Sequence, residues 1–123
     1  MATKSQTNSL RYIKMTKKIK PGDAVVIVLH TPREKCWGML DEISAAGVFL
    51  RGLDLNSFDD WVHSVVHDEP FIGLNDLFFP MWRIERINRD ETSGAIPSLT
   101  LQVEHRTGRS LAELLGRNGN ASC

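Results

Sequence analysis

Between Lys20 and Leu55, hydrophobic and polar positions fall into three blocks, each closed by a turn signal. Residues 24–30 read AVVIVLH, a continuous β-branched run that predicts a strand buried on both faces. Thr31-Pro32-Arg33-Glu34 follows as a polar turn. Residues 35–43 predict a second strand, with Trp37, Met39 and Asp41 on one face and Cys36, Gly38, Leu40 and Glu42 on the other. Gly38 lacks a side chain where a strand must bend or another backbone must approach. Ser44-Ala45-Ala46-Gly47 predicts a short hairpin with Gly47 available for positive φ. In the third strand, residues 47–55, Val48, Leu50, Gly52 and Asp54 alternate with Phe49, Arg51, Leu53 and Leu55.

The pattern then changes period. Phe58, Trp61, Val62, Val65 and Val66 recur at helical spacing. Ser57 with Asp60 resembles a capping box, and Asp59 and Asp60 suit the positive end of a helix. Pro70 ends the segment. A short amphipathic helix over residues 58–67 is therefore inserted after the third strand. Residues 77–87, LFFPMWRIERI, predict two short strands joined by a tight turn at Pro80–Met81, because proline cannot donate to a ladder. The expected core is Val26, Val28, Leu40, Val48, Leu50, Phe78 and Ile84. Residues 90–97 form a linker. Residues 98–106 fit a helix or a strand, since Leu99, Leu101 and Val103 alternate. Ser110-Leu111-Ala112-Glu113 is a capping box that opens a short helix stopped at Gly116. Residues 10–19 are equally ambiguous. Asn8 or Ser9 can cap a helix bearing Leu10 and Ile13, while Ile13, Met15 and Ile19 fit a strand.

Composition narrows the class. The chain has 123 residues, 41% hydrophobic and 24% charged, enough for one domain with a core. No apolar run approaches the ~20 residues of a membrane helix, and the N-terminus has no apolar h-region. Cys36 and Cys123 are read as thiols in a reducing cytoplasm, with a Cys36–Cys123 bridge as the alternative. Net charge is zero but unevenly spread: Lys4, Arg11, Lys14, Lys17, Lys18 and Lys20 occupy the first twenty residues without an acid. The body is correspondingly acidic. Such an arm either attracts phosphate backbones or rests, solvated, against the acidic body.

Candidate chemistry is sparse. His63 and His67 share one helical face with Asp59 a turn earlier, a spacing that suits a transition metal. The intervening Glu of H-E-x-x-H is absent, so the pair reads as a wet polar face. Asp41/Glu42 and Asp59/Asp60 are adjacent carboxylates without recognisable partners. No nucleophile elbow, phosphate loop or dinucleotide fingerprint is present, and Cys36 has no placed base. Among the aromatics, Trp82 is the candidate for base stacking and Trp61 for an interaction surface, each having a charged residue beside it.

The run Trp37 to Leu53, W-G-M-L-D-E-I-S-A-A-G-V-F-L-R-G-L, resembles the first half of an Sm-like domain. The segment Leu77 to Ile87 is similar to the second half. The resemblance covers residues 20–90. It implies a strongly bent five-stranded barrel, an N-terminal helix, and oligomers formed by edge-strand pairing. It also implies RNA binding near the loops after strands two and four, which here are Ser44–Gly47 and Pro80–Met81. SH3-like and Tudor-like barrels share the same coarse pattern.

The expectation from sequence is a mainly β protein: an Sm-like or SH3-like five-stranded barrel over residues 10–90, with an N-terminal helical segment, one inserted helix, and a C-terminal linker and helix over 91–116. Residues 1–9 and 117–123 are expected to be flexible tails. The expected function is a non-enzymatic, cytoplasmic, bacterial-type binding or assembly module. No cofactor, metal or membrane is expected. The expected partners are further copies of the chain and single-stranded RNA, with Lys14, Lys17 and Lys18 on phosphates and Trp82 on a base. The alternative is a protein–protein adaptor using the inserted and C-terminal helices.

Overall fold

A computed structural model describes residues 17–69 and 73–115. The expectations for the two tails, for a helix over 10–19, for Lys14, for Pro70 as a helix stop and for the Gly116 stop lie outside them, as does Cys123. The protein is mainly β: a five-stranded antiparallel sheet accompanied by a few short helices. The strands are β1 (Ala24–Leu29), β2 (Glu34–Ile43), β3 (Gly47–Asp54), β4 (Asn75–Pro80) and β5 (Ile84–Arg89). The helices are α1 (Phe58–Val66), α2 (Leu99–Thr107) and α3 (Leu111–Leu114).

The strand order is β4-β3-β2-β1-β5, so β4 and β5 are opposite edges. Yet only the 3-10 turn Met81–Arg83 joins them. In a flat sheet the two edges would lie about 19 Å apart, four gaps of ~4.8 Å. Three residues of 3-10 helix rise only ~6 Å. The sheet therefore rolls until the end of β4 lies beside the start of β5. Gly38 and Gly52 permit part of that roll. They face each other across β2 and β3, and a Cβ on Gly38 would lie 2.6 Å from the Gly52 Cα. A side chain at either position would collide with the opposite backbone.

Two apolar clusters follow. On the concave face, Val25, Ile27 and Leu29 of β1 meet Cys36, Leu40, Val48 and Leu50, with Leu77, Phe79, Ile84 and Ile87 from the two edge strands packed against them. On the outer face, Trp37 and Leu53 meet Phe58, Trp61 and Val62 of α1, Val103 of α2, and Leu111 and Leu115. Ala24 and Val26 pack on this second cluster, so β1 contributes to both sides, as its unbroken apolar run predicts.

Helix ends are fastened by specific groups. Ser98 caps α2 by accepting from the Leu101 N–H, and Gly108 closes it in the left-handed region. These caps decide the residues that sequence left as helix or strand. Ser110 and Glu113 complete the expected capping box on α3. Arg51 donates to the Leu115 carbonyl at 3.2 and 3.3 Å, holding the end of α3 on the sheet. The Asp90 carboxylate, just past β5, accepts from the Trp37 indole (3.0 Å), the Leu99 and Thr100 N–H groups (both 2.8 Å) and the Thr100 hydroxyl (2.7 Å). It joins sheet, core tryptophan and α2 at one point.

Three expectations are corrected. Trp61 is not a surface residue: only 3% exposed, its ring lies 5.7 Å from Trp37 and 6.3 Å from Phe58. Phe58, Trp61 and Val62 of the α1 stripe pack on the chain's own sheet, while Val66 at its end stays 49% exposed. Phe78 is not core. It is 45% exposed, because it shares the outer face with Phe49 where no described helix covers it. Gly47 does not use positive φ; it makes room, since a Cβ there would collide with the Phe79 backbone carbonyl oxygen and lie 2.7 and 2.9 Å from the Phe78 ring. Of the other expected core residues, Val28, Leu40, Val48 and Leu50 are buried, while Val26 and Ile84 are half-buried.

Candidate interaction surfaces

The β2–β3 hairpin and the β4–β5 turn meet at one end of the sheet. The Met81 N–H donates to the Ala46 carbonyl at 3.0 Å, and the His30 N–H donates to the Arg83 carbonyl at 2.9 Å. Arg83 locks the junction: its guanidinium donates to the His30 and Pro32 carbonyls at 3.0 and 2.9 Å and pairs with Glu34 at 2.6 Å. With its stem held this way, the turn presents Trp82, 64% exposed, edge-on to His30 at 6.4 Å.

Cations gather near that end. The register sets Lys35 and Arg86 on either side of Val28, so all three share the outer face. Arg33 and Arg86 both pair with Glu85, at 3.2 and 2.7 Å. Lys17 and Lys18 are exposed but lie elsewhere. The Lys17 carbonyl accepts from Arg89 at the far end of β5, about 20 Å of strand away from Trp82. The sequence reading named Trp82 and did not name Lys35 or Arg86, which strand pairing sets side by side about Val28. Beside Lys17, the Lys20 backbone N–H holds the Asp23 carboxyl below its usual range.

A second surface lies around β3 and β4. Phe49 and Phe78 are opposite one another in the register, 44% and 45% exposed, with ring centroids 4.8 Å apart. Next to them is a groove of about 380 Å³ lined by Asp41, Glu42, Phe49, Leu50, Asp76 and Leu77. A β-bulge creates its acidic rim. The register shifts between Leu40 and Glu42, which pairs Glu42 with Phe49 and so turns it to the outer face. Uninterrupted alternation had put Glu42 on the Leu40 face; the bulge overturns that.

The remaining candidates resolve simply. His63 and His67 are exposed and stacked at 4.1 Å, and the His67 ring nitrogen Nδ1 lies 3.0 Å from the His63 carbonyl. Asp59 pairs with Arg106 at 2.9 Å instead of facing them. Among the described residues, no group of three or more His, Cys, Asp or Glu side chains converges. Cys36 is a buried free thiol, and burial pushes it up to about 11. No described helix is long and apolar enough to cross a membrane. No protein-family model matches the chain, and neither a curated protein nor a solved structure is found to match it.

Proposed function

We propose that the chain is a small Sm-like barrel that works without catalysis as a cytoplasmic binding and assembly module. It forms homo-oligomers and takes single-stranded RNA as its ligand. The observation that carries this reading is the rolled meander, with strand order β4-β3-β2-β1-β5 and two short edge strands joined by a three-residue turn. Each edge has one row of backbone groups unmatched by the sheet, and a neighbouring copy can pair with it. Cys36 is not offered as a nucleophile in this reading, because the thiol is buried and burial pushes it up to about 11.

The RNA part rests on Trp82. An exposed indole near Arg33, Lys35 and Arg86 combines a stacking platform with phosphate-binding charge. The basic arm, with Lys14, Lys17 and Lys18, adds sequence-independent attraction. Binding of labelled single-stranded RNA, titrated over a range of salt concentrations, tests this. Trp82→Ala should weaken binding by about 1–3 kcal/mol. Lys35→Gln with Arg86→Gln should flatten the salt slope. Absence of binding even at low salt ends the RNA reading.

The adaptor reading has one observation in its favour. Leu101 and the neighbouring Ile96 remain exposed beside a groove of about 210 Å³ lined by Pro97, Leu101, Gln102, His105 and Arg106. If RNA does not bind, this surface of α2 is the one to test with protein partners.

A further inference from the structure

The acidic groove and the basic arm belong to the same chain, and their chemistries match. The groove has an apolar floor, Phe49, Leu50 and Leu77, extended by the exposed Phe78 ring. Its rim carries Asp41, Glu42 and Asp76, with Asp76 also 3.5 Å from Arg51. The arm contains Leu10-Arg11-Tyr12-Ile13-Lys14-Met15, in which apolar residues are interleaved with two cations and no acid. A segment of that composition can lay Tyr12 and Ile13 on the aromatic pair while Arg11 and Lys14 meet the carboxylates.

The root of the arm is fastened nearby. The Gly22 N–H donates to the Leu40 carbonyl at 2.8 Å, and the Leu40 N–H donates to the Asp23 carbonyl at 2.9 Å. The chain therefore enters the sheet alongside Leu40, immediately before Asp41. Arg89 holds the Lys17 carbonyl at 2.6 Å and Asp23 at 3.1 Å, so Lys17 stays close to that entry point. From Lys17, the seven residues back to Leu10 reach up to about 23 Å when extended. Glu42 and the Phe49–Phe78 pair are within the arm's compass without any change in the sheet.

We infer that residues 10–15 dock in cis on the Phe49–Phe78 groove, with Arg11 and Lys14 on Glu42 and Asp76. The inference is independent of RNA binding. If RNA does bind, the arm's cations are already engaged on the body, and the polyanion must compete with the groove for them.

The test uses the full-length chain with a photoreactive benzoylphenylalanine in place of Tyr12. After irradiation at low salt, peptide mapping should locate the cross-link within residues 41–50 or 75–79 of the same molecule. Mixing isotopically light and heavy chains separates cis from trans products. Reversing the rim with Glu42→Lys and Asp76→Lys should lower the yield roughly fivefold or more, the scale expected for losing two exposed ion pairs and adding repulsion. Adding Arg11→Glu and Lys14→Glu to that variant should restore the yield, which excludes misfolding as the cause. Cross-links that map elsewhere, that join light to heavy chains, or that ignore the charge reversal overturn the inference.

Discussion

The outer face of β2 and β3 has two halves, one covered and one bare. Around Trp37 and Leu53 it is sealed by α1, α2 and α3. Polar anchors add to the packing there: Asp90 on the Trp37 indole and the start of α2, Arg51 on the Leu115 carbonyl. Around Phe49 and Phe78, one or two strand-pairs further along, no described helix arrives, and the two phenylalanines are 44% and 45% exposed. A folded chain normally spends its apolar surface internally. A paired aromatic patch left beside an edge strand and an acidic groove marks the half available for recognition, and residues 10–15 are the occupant inferred for it. The covered half serves stability and the bare half serves recognition.

If that division is right, substitutions in the two halves must behave differently. The largest effect belongs to Trp37. Trp37→Ala removes the ring at the centre of the covered half, and a loss of about 3–5 kcal/mol is expected from the denaturant midpoint. Asp90→Ala should rank next. It leaves the buried indole N–H and the Thr100 hydroxyl unpaired, and a loss of roughly 1–3 kcal/mol is expected in the same measurement. If Asp90→Ala leaves the midpoint where it was, the hub does not tie α2 to the sheet.

A smaller effect is tied to pH. The Cys36 thiol is raised from an ordinary value of 9.0 to about 11, first by burial and then by Asp54 and Glu34. Between those values the unfolded chain has released the proton and the folded chain retains it. Stability should therefore fall as pH rises from about 9 to about 11 and level off beyond. Cys36→Ser should lose that slope. At neutral pH, iodoacetamide should leave Cys36 unmodified in the folded protein.

Much of this architecture was legible in the sequence, for local reasons. β1, β2 and β3 lie within one residue of their expected ends, because β-branched and apolar runs stop at Pro32, Ser44 and Asn56. α1 begins at Phe58 as expected, where the hydrophobic period changes. The failures are non-local. Phe78 belongs to an apolar run, and nothing in that run says that its face lacks a cover. Trp61 is packed, as its place on the apolar stripe of the inserted helix implies, but only the fold shows that stripe landing on Trp37 and leaving no tryptophan surface for a partner. Glu42 changes face at a bulge whose cause is the fit of β2 against β3, not a residue signal. The most consequential pairs are far apart in sequence: Trp37 with Asp90, Arg83 with Glu34, Arg51 with Leu115. Strand alternation cannot place such partners. The grouping of Lys35 and Arg86 about Val28 stayed hidden for the same reason.

The smallest effect on stability is expected at Phe78. Phe78→Ser takes a ring off the surface and should move the unfolding free energy by less than about 1 kcal/mol. Its effect on the docking of residues 10–15 should be much larger than its effect on stability, and that contrast is the division between the halves in its sharpest form.

Cross-linking from a photoreactive benzoylphenylalanine at position 12, in the otherwise unmodified chain and with Phe78→Ser added, tests the central claim most directly. The otherwise unmodified chain should cross-link in cis to residues 41–50 or 75–79, and Phe78→Ser should lose most of that yield while its unfolding midpoint hardly moves. An unchanged yield in the variant, or cross-links that map elsewhere, would contradict the assignment of the bare half to recognition.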